Sequence, residues 1–245
     1  MKIKSLYGII KNKWNVMKKR KKLNFIENKR WIVSPREERR KIMLPKRVRQ
    51  FVMNLTDRIN EDDYEYVKSK LDDREYEVFN TISKSEQKHS VRVAREIECI
   101  IDEVEKGNDF ESGYTLTNGE ILDRKVILPV CDDILKNKDM LVKVGLLHDV
   151  GKSRQRINII DKSIIVILNK LTSGKLRNIN LKKIQCYYNH SEYSYEILKE
   201  INEDNVFLEI VRNHHNENYS NDTCVDEKYY LGNIIMFFQG VDDGN

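Results

Sequence analysis

The sequence predicts an all-α protein, and three observations lead there. Ten Gly and three Pro (Pro35, Pro45, Pro129) in 245 residues are too few for the many tight turns of a β-sandwich. Apolar residues recur at spacings of three and four along most of the chain, the period of a helix with one buried face. With 40% apolar and 34% charged residues the chain is polar, yet it holds enough apolar side chains for a core, which excludes disorder throughout.

The elements follow in order. Ile3, Leu6, Ile10, Trp14 and Met17 form one helical stripe over residues 3–17, and Lys2, Lys4, Lys11 and Lys13 occupy its other faces. The run Lys18-Lys19-Arg20-Lys21-Lys22 comes next. Residues 34–49, SPREERRKIMLPKRVR, read as a basic connector punctuated by Pro35 and Pro45. From about residue 47 the helical pattern resumes through Val52, Leu55, Ile59, Tyr66, Leu71, Tyr76 and Phe79. A boundary near residue 80 separates a basic helical extension, residues 1–80, from a helical domain over residues 81–245. That domain is expected to hold helices over 84–106, 125–136, 138–149, 160–171, 180–200, 204–216 and 227–242. A loop over 107–124 contains Gly107, Gly113 and Gly119. The run Ile164-Ile165-Val166-Ile167-Leu168 could be a strand by composition, but nothing nearby would pair with it, so it is assigned to a buried helix.

The net charge of +5 hides a split. Residues 1–50 hold 18 Lys or Arg against Glu27, Glu37 and Glu38, a net +15, which leaves −10 for the rest. A basic amphipathic helix of this kind can lie on an anionic membrane surface, bind nucleic acid or a protein partner, or pack on its own domain. No apolar run reaches the roughly 18 residues of a spanning helix, and the N-terminal one is too short for a signal peptide. Cys99, Cys131, Cys186 and Cys224 form no CxxC pair and no zinc-finger spacing, so four reduced thiols and a cytoplasmic location are expected.

The five histidines are the sharper signal. His89, His148, His190, His214 and His215 each fall in or at the end of an expected helix. His148 and Asp149 end the apolar segment VGLLHD, just before Gly151. Adjacent residues on a helix project about 100° apart, so imidazole and carboxylate would face one cavity. A carboxylate buried beside apolar residues is costly unless a cation or strong donors compensate, and a metal ion is the simplest explanation.

The segments HSVRVA (89–94), GLLHDVGK (145–152), NHSEYSYEIL (189–198), VRNHHNE (211–217) and VDD (241–243) resemble the HD-domain superfamily of metal-dependent phosphohydrolases. They look most like its HDIG subgroup and the related HD-GYP and membrane-bound HD phosphodiesterases. The resemblance covers residues 81–243 and implies an HD-type helical bundle. It implies His89, His148, Asp149 and Asp242 as ligands of one metal. It implies His190, His214 and His215 as ligands of a second, bridged by Asp149. Lys152 matches the basic residue that contacts phosphate in related enzymes. Histidine and carboxylate donors without thiolate suit iron or manganese, with zinc or nickel as alternatives. The implied function is hydrolysis of a phosphate ester or anhydride, of a nucleotide or cyclic dinucleotide, with Asp149 and Lys152 in the catalytic machinery. The alternative is a catalytically silent HD module with a structural metal, whose basic N-terminus binds membrane or nucleic acid.

Three departures qualify the resemblance. The GYP signature after the paired histidines is absent, the segment reading NHHNENYSNDT, which weakens cyclic di-GMP as the substrate. The position four before His89, a glutamate ligand in three-metal relatives, is Ser85, so at most two metals are expected. The chain ends three residues after Asp242, so the pocket is either open or completed by residues 1–80 or another chain. Asp242 is preferred over Asp243 because it follows Val241, as in the family pattern. Arg92, one turn after His89, is assigned to a solvated face.

Overall fold

A computed structural model of the chain describes residues 58–157, 159–172, 175–202, 204–216 and 226–245. The basic helix expected over 3–17, the Lys/Arg run and the connector over 34–49 lie outside them. Helix α1 (Glu61–Lys70) and helix α2 (Asp73–Phe79) each begin with a reciprocal cap. The Asn60 side chain accepts from the Asp63 amide while the Asp63 carboxylate accepts from the Asn60 amide, and Asp72 and Glu75 repeat the arrangement. Helix α3 (Lys84–Glu105) is capped by Ser83 and buries Val91, Ala94, Ile97, Ile100 and Ile101, the stripe that the sequence spacing predicts.

The Gly-containing loop forms a short antiparallel hairpin, β1 (Tyr114–Thr115) with β2 (Ile121–Leu122), in which Tyr114 faces Leu122. The helix expected over 125–136 is broken into α4 (Arg124–Ile127), a 3-10 turn (Leu128–Val130) and α5 (Cys131–Lys136). Pro129 accounts for the break, because it has no amide proton to donate to the carbonyl one turn back, and Val130 just after it leaves the α region at φ −119° and ψ 4°. Helix α6 (Lys138–Leu147) ends at His148, and a 3-10 turn (Val150–Arg154) follows. Helix α7 (Ile159–Leu171), a 3-10 turn (Lys175–Asn178), α8 (Lys182–Leu198), α9 (Asn205–Asn213) and α10 (Asp226–Gly244) complete the bundle.

Helices α3 and α6 pack closely at the centre. A Cβ on Gly145 would lie 2.9 Å from the Ala94 Cα, so glycine there sets the distance between the two helices. Val67, Leu71 and Phe79 belong to the same hydrophobic core as Ile97, Leu146 and Phe238. The boundary expected near residue 80 therefore falls between elements that share one core. A second, small cluster consists of Ile165, Leu176 and Ile184.

Residues 159–171 are helical, but the expectation of a buried helix needs correction. Ile165 is buried, whereas Val166 is 42% and Ile167 59% exposed. The small cluster covers only one side of the helix. Cys99, Cys131 and Cys186 are free thiols, and Cys224 lies outside the described residues. Among the described residues no helix is long and apolar enough to cross a membrane.

Candidate metal centre

All eight residues singled out from the sequence converge on one place. His89 comes from α3, His148 and Asp149 from the end of α6, and Lys152 from the 3-10 turn that follows. His190 comes from α8, His214 and His215 stand just after α9, and Asp242 lies near the end of α10.

Asp149 is the hub. Its Oδ2 lies 3.4 Å from His148 Nε2 and 3.9 Å from His89 Nε2. Its Oδ1 lies 3.4 Å from His190 Nε2 and 3.9 Å from His214 Nε2. The two oxygens thus face different histidines. Asp242 Oδ1 joins the first side, 2.9 Å from His89 Nε2 and 3.3 Å from His148 Nε2. His215 joins the second, with its Nε2 2.9 Å from His190 Nε2.

One local device orients three of the rings. His148, His190 and His214 each place Nδ1 on the carbonyl three residues earlier: Gly145 at 3.0 Å, Tyr187 at 2.9 Å and Val211 at 2.6 Å. With Nδ1–H donating to a carbonyl, it is Nε2 of each ring that is turned inward. Phe238 packs edge-on against His148 at 5.3 Å and forms an apolar wall behind the cluster.

The donors fit a divalent cation. His148 Nε2, Asp149 Oδ1 and His214 Nε2 are buried and have no hydrogen-bond partner. Such orphaned polar atoms are costly in an apolar interior, and a cation among them would satisfy all three. Three overlapping sets bring their ligand atoms within 4.8 Å of one another: His89, His148 and Asp242; His148, Asp149 and His214; His190, His214 and His215. The donors are imidazole and carboxylate, the ligands of borderline and hard divalent ions.

The electrostatics of the protein groups alone are divided across the site. Burial disfavours charge on His148, but the carboxylates of Asp149 and Asp242 raise its pKa to about 10. Burial lowers His190 to about 3, with the Lys152 charge acting in the same direction. His214 and His215 are also lowered by burial and held neutral. Burial alone would raise Asp149 and Asp242. Lys152 and His148 instead hold Asp149 well below the usual carboxylate range, and His148 and His89 do the same for Asp242. One half of the cluster is charge-paired and the other is a neutral imidazole nest.

Glu86 is the residue that sequence reading missed. Its Oε2 accepts from the Lys152 ammonium at 3.1 Å, and the same ammonium contacts Asp149 Oδ2. Burial opposes the charge on Glu86, yet Lys152 brings its pKa down to about 2. The available signal was its position three residues before His89, on the same helix face. Ser85 carries no carboxylate, and the acid that reaches the site is its neighbour. Ser194 was also missed: its hydroxyl accepts from the Gly151 amide at 2.8 Å and ties α8 to the turn after Asp149. Arg92 corrects an expectation, being half-buried with its guanidinium reaching the Asn245 carbonyl at 3.5 Å. Asp242 is buried in the cluster while Asp243 is exposed.

A family model for the HD domain matches residues 87–230. Its range contains His89, His148, Asp149, Lys152, His190, His214 and His215, while Asp242 lies beyond it and joins them by geometry. No curated protein and no solved structure matches the chain. The model covers well over half of the sequence and includes seven of the eight convergent residues, and the chain belongs to the HD domain family of metal-dependent phosphohydrolases.

Proposed function

We propose that this chain hydrolyses a phosphate ester or anhydride of a nucleotide or cyclic dinucleotide, as an HDIG-type member of the family. His89, His148, Asp149 and Asp242 would hold one divalent cation. Asp149, His190, His214 and His215 would hold a second. Iron or manganese suits this donor set, with zinc or nickel as alternatives. The observation that carries the reading is the division of Asp149, whose Oδ2 faces His89 and His148 while Oδ1 faces His190 and His214.

Divalent cations in such a site supply Lewis acidity at phosphoryl oxygens and lower the pKa of a coordinated water. The protein's own groups do the rest. The three carbonyl-anchored imidazoles are pre-oriented, so binding costs little rearrangement. Lys152 stands beside Asp149 and can offset charge that builds on phosphoryl oxygens during displacement. Phe238 keeps water from the far side of His148.

The test is turnover of bis(p-nitrophenyl) phosphate and a nucleotide panel by protein loaded separately with iron, manganese, zinc and nickel. His148→Ala and Asp149→Ala should each lower the rate by on the order of a hundredfold or more. An unchanged rate in either variant overturns the reading. Inactivity of the metal-replete protein across the whole panel favours a silent HD module with a structural metal.

A further inference from the structure

Residues 159–183 form a lobe unlike the rest of the domain. It comprises α7, the 3-10 turn Lys175–Asn178 and the start of α8. Lys162, Lys170, Lys175, Arg177, Lys182 and Lys183 stand against the single acid Asp161, a net +5. Residues 51–245 carry −10 in total, so the remainder outside the lobe carries −15. The positive charge is therefore local.

The same stretch exposes apolar surface. Of the seven large hydrophobic side chains exposed among the described residues, four lie here: Val166, Ile167, Ile179 and Leu181, at 42%, 59%, 42% and 51%. Scattered exposed aliphatics need no explanation, but a concentration of them does. The lobe's own packing does not use them. Its small core is made by Ile165, Leu176 and Ile184, with Leu168, Tyr187 and Tyr188 against it. Ile179 and Leu181 sit between the exposed cations Lys175, Arg177 and Lys182 in one short segment. Lys183 pairs with Asp161 at 2.5 Å, and Arg177 stacks 5.2 Å from the Tyr188 ring centroid.

We infer that this lobe docks on an anionic lipid surface, with Val166, Ile167, Ile179 and Leu181 entering the interfacial layer and Lys175, Arg177 and Lys182 meeting the headgroups. Aliphatic side chains flanked by Lys and Arg are the composition that partitions into a charged bilayer interface. Charge complementarity selects this occupant. A second copy docked lobe to lobe would set two cationic surfaces against each other, and its acidic remainder would meet the cations without a place for the aliphatics. Nucleic acid would meet the cations but leave the aliphatics in water. The lobe's first helix starts at Ile159, five residues after the end of the 3-10 turn that carries Lys152.

The test uses the full chain and phosphatidylcholine vesicles with or without phosphatidylglycerol. Residues 1–50 can themselves hold such vesicles, so a local reporter is needed. Trp14 and Trp31 are the only tryptophans. With both changed to Phe, Ile167→Trp places the sole indole on the lobe. Its emission should shift to the blue and be quenched by brominated acyl chains, only when phosphatidylglycerol is present. In the otherwise native chain, Ile167→Asp with Leu181→Asp should lower partitioning by on the order of fivefold. Lys175→Glu with Lys182→Glu should do the same, and an unchanged circular dichroism spectrum keeps either loss from being misfolding. Vesicle binding without quenching assigns the contact to residues 1–50 and overturns the inference. So does unchanged partitioning of both double variants, or a lobe that binds RNA or a second copy while the reporter stays unquenched.

Discussion

The Lys152 ammonium and the Glu86 carboxylate meet at 3.1 Å and join the turn after Asp149 to the first turns of α3. Both side chains are 17% exposed, so the pair is shielded from solvent more than a surface ion pair is. Lys152 also contacts Asp149, a ligand in the proposed centre. Were a cation to share the Asp149 charge, Glu86 would be the carboxylate left to anchor the ammonium.

Glu86→Gln keeps the shape and removes the charge. Metal content should stay unchanged, while kcat/KM on the best phosphate substrate falls about tenfold, the equivalent of ~1.4 kcal/mol, mainly through KM. Lys152→Met should cost more, and the double variant should cost no more than Lys152→Met alone. Elemental analysis and steady-state kinetics decide it. Additive losses would show that Glu86 does not act through Lys152.

The two faces of Asp149 predict an ordered pattern of metal loss. His89→Ala should remove the cation of the His89–His148–Asp242 side, and His190→Ala that of the His190–His214–His215 side. Asp149→Ala, which deletes both carboxylate oxygens, should remove both. Stoichiometry by elemental analysis after dialysis reads the result. Equal loss in all three variants would mean a single shared ion.

Much of this centre was legible in the sequence because its residues are rare types in unusual places. A His-Asp pair ending an apolar helix is hard to place without a cation, and all five histidines are indeed brought together. Glu86 was not legible, since a glutamate on a helix with Lys84 and Lys88 nearby reads as a solvated face until Lys152 is seen to cover it. The helix over 159–171 was legible, but its exposed side was not. Composition says that Val166 and Ile167 prefer burial, and it does not say that one neighbouring cluster exhausts the available partners. The broken helix at Pro129 could have been read from the proline alone.

The opposed shifts of His148 and His190 set the pH response. His148 keeps its proton up to about 10, so this contribution to stability is complete below its ordinary 6.5 and is lost as the pH rises through about 10. His190 is lowered to about 3. Between its ordinary 6.5 and 3 the unfolded chain binds a proton that the folded chain does not, so stability falls as the pH falls. Urea midpoints in EDTA should therefore drop on both sides of neutrality. A divalent ion needs the neutral His148 imidazole, so binding at neutral pH should release a proton and tighten as the pH rises. Titration calorimetry in buffers of different ionisation enthalpy measures that proton. A binding enthalpy that does not vary with buffer would contradict the charged His148.

Gly151 is where the fold and the centre depend on the same atom. A Cβ there would lie 2.1 Å from the His190 carbonyl oxygen and 2.5 Å from the Ser194 amide nitrogen, both backbone atoms that no rotamer change can move. Only glycine lets α8 approach closely enough to set His190 Nε2 3.4 Å from Asp149. Gly151→Ala must push α8 outward, at a cost of ~1–3 kcal/mol for overpacking. For a chain of this size each kcal/mol lowers Tm by roughly 2–4 °C. Ser194→Ala removes only the hydrogen bond to the Gly151 amide and should cost ~1 kcal/mol without moving the helix. Metal stoichiometry separates the two: Gly151→Ala should lose the His190-side ion and keep the other, while Ser194→Ala keeps both. A Gly151→Ala protein with native Tm and full metal content would show that α8 is not held at this distance.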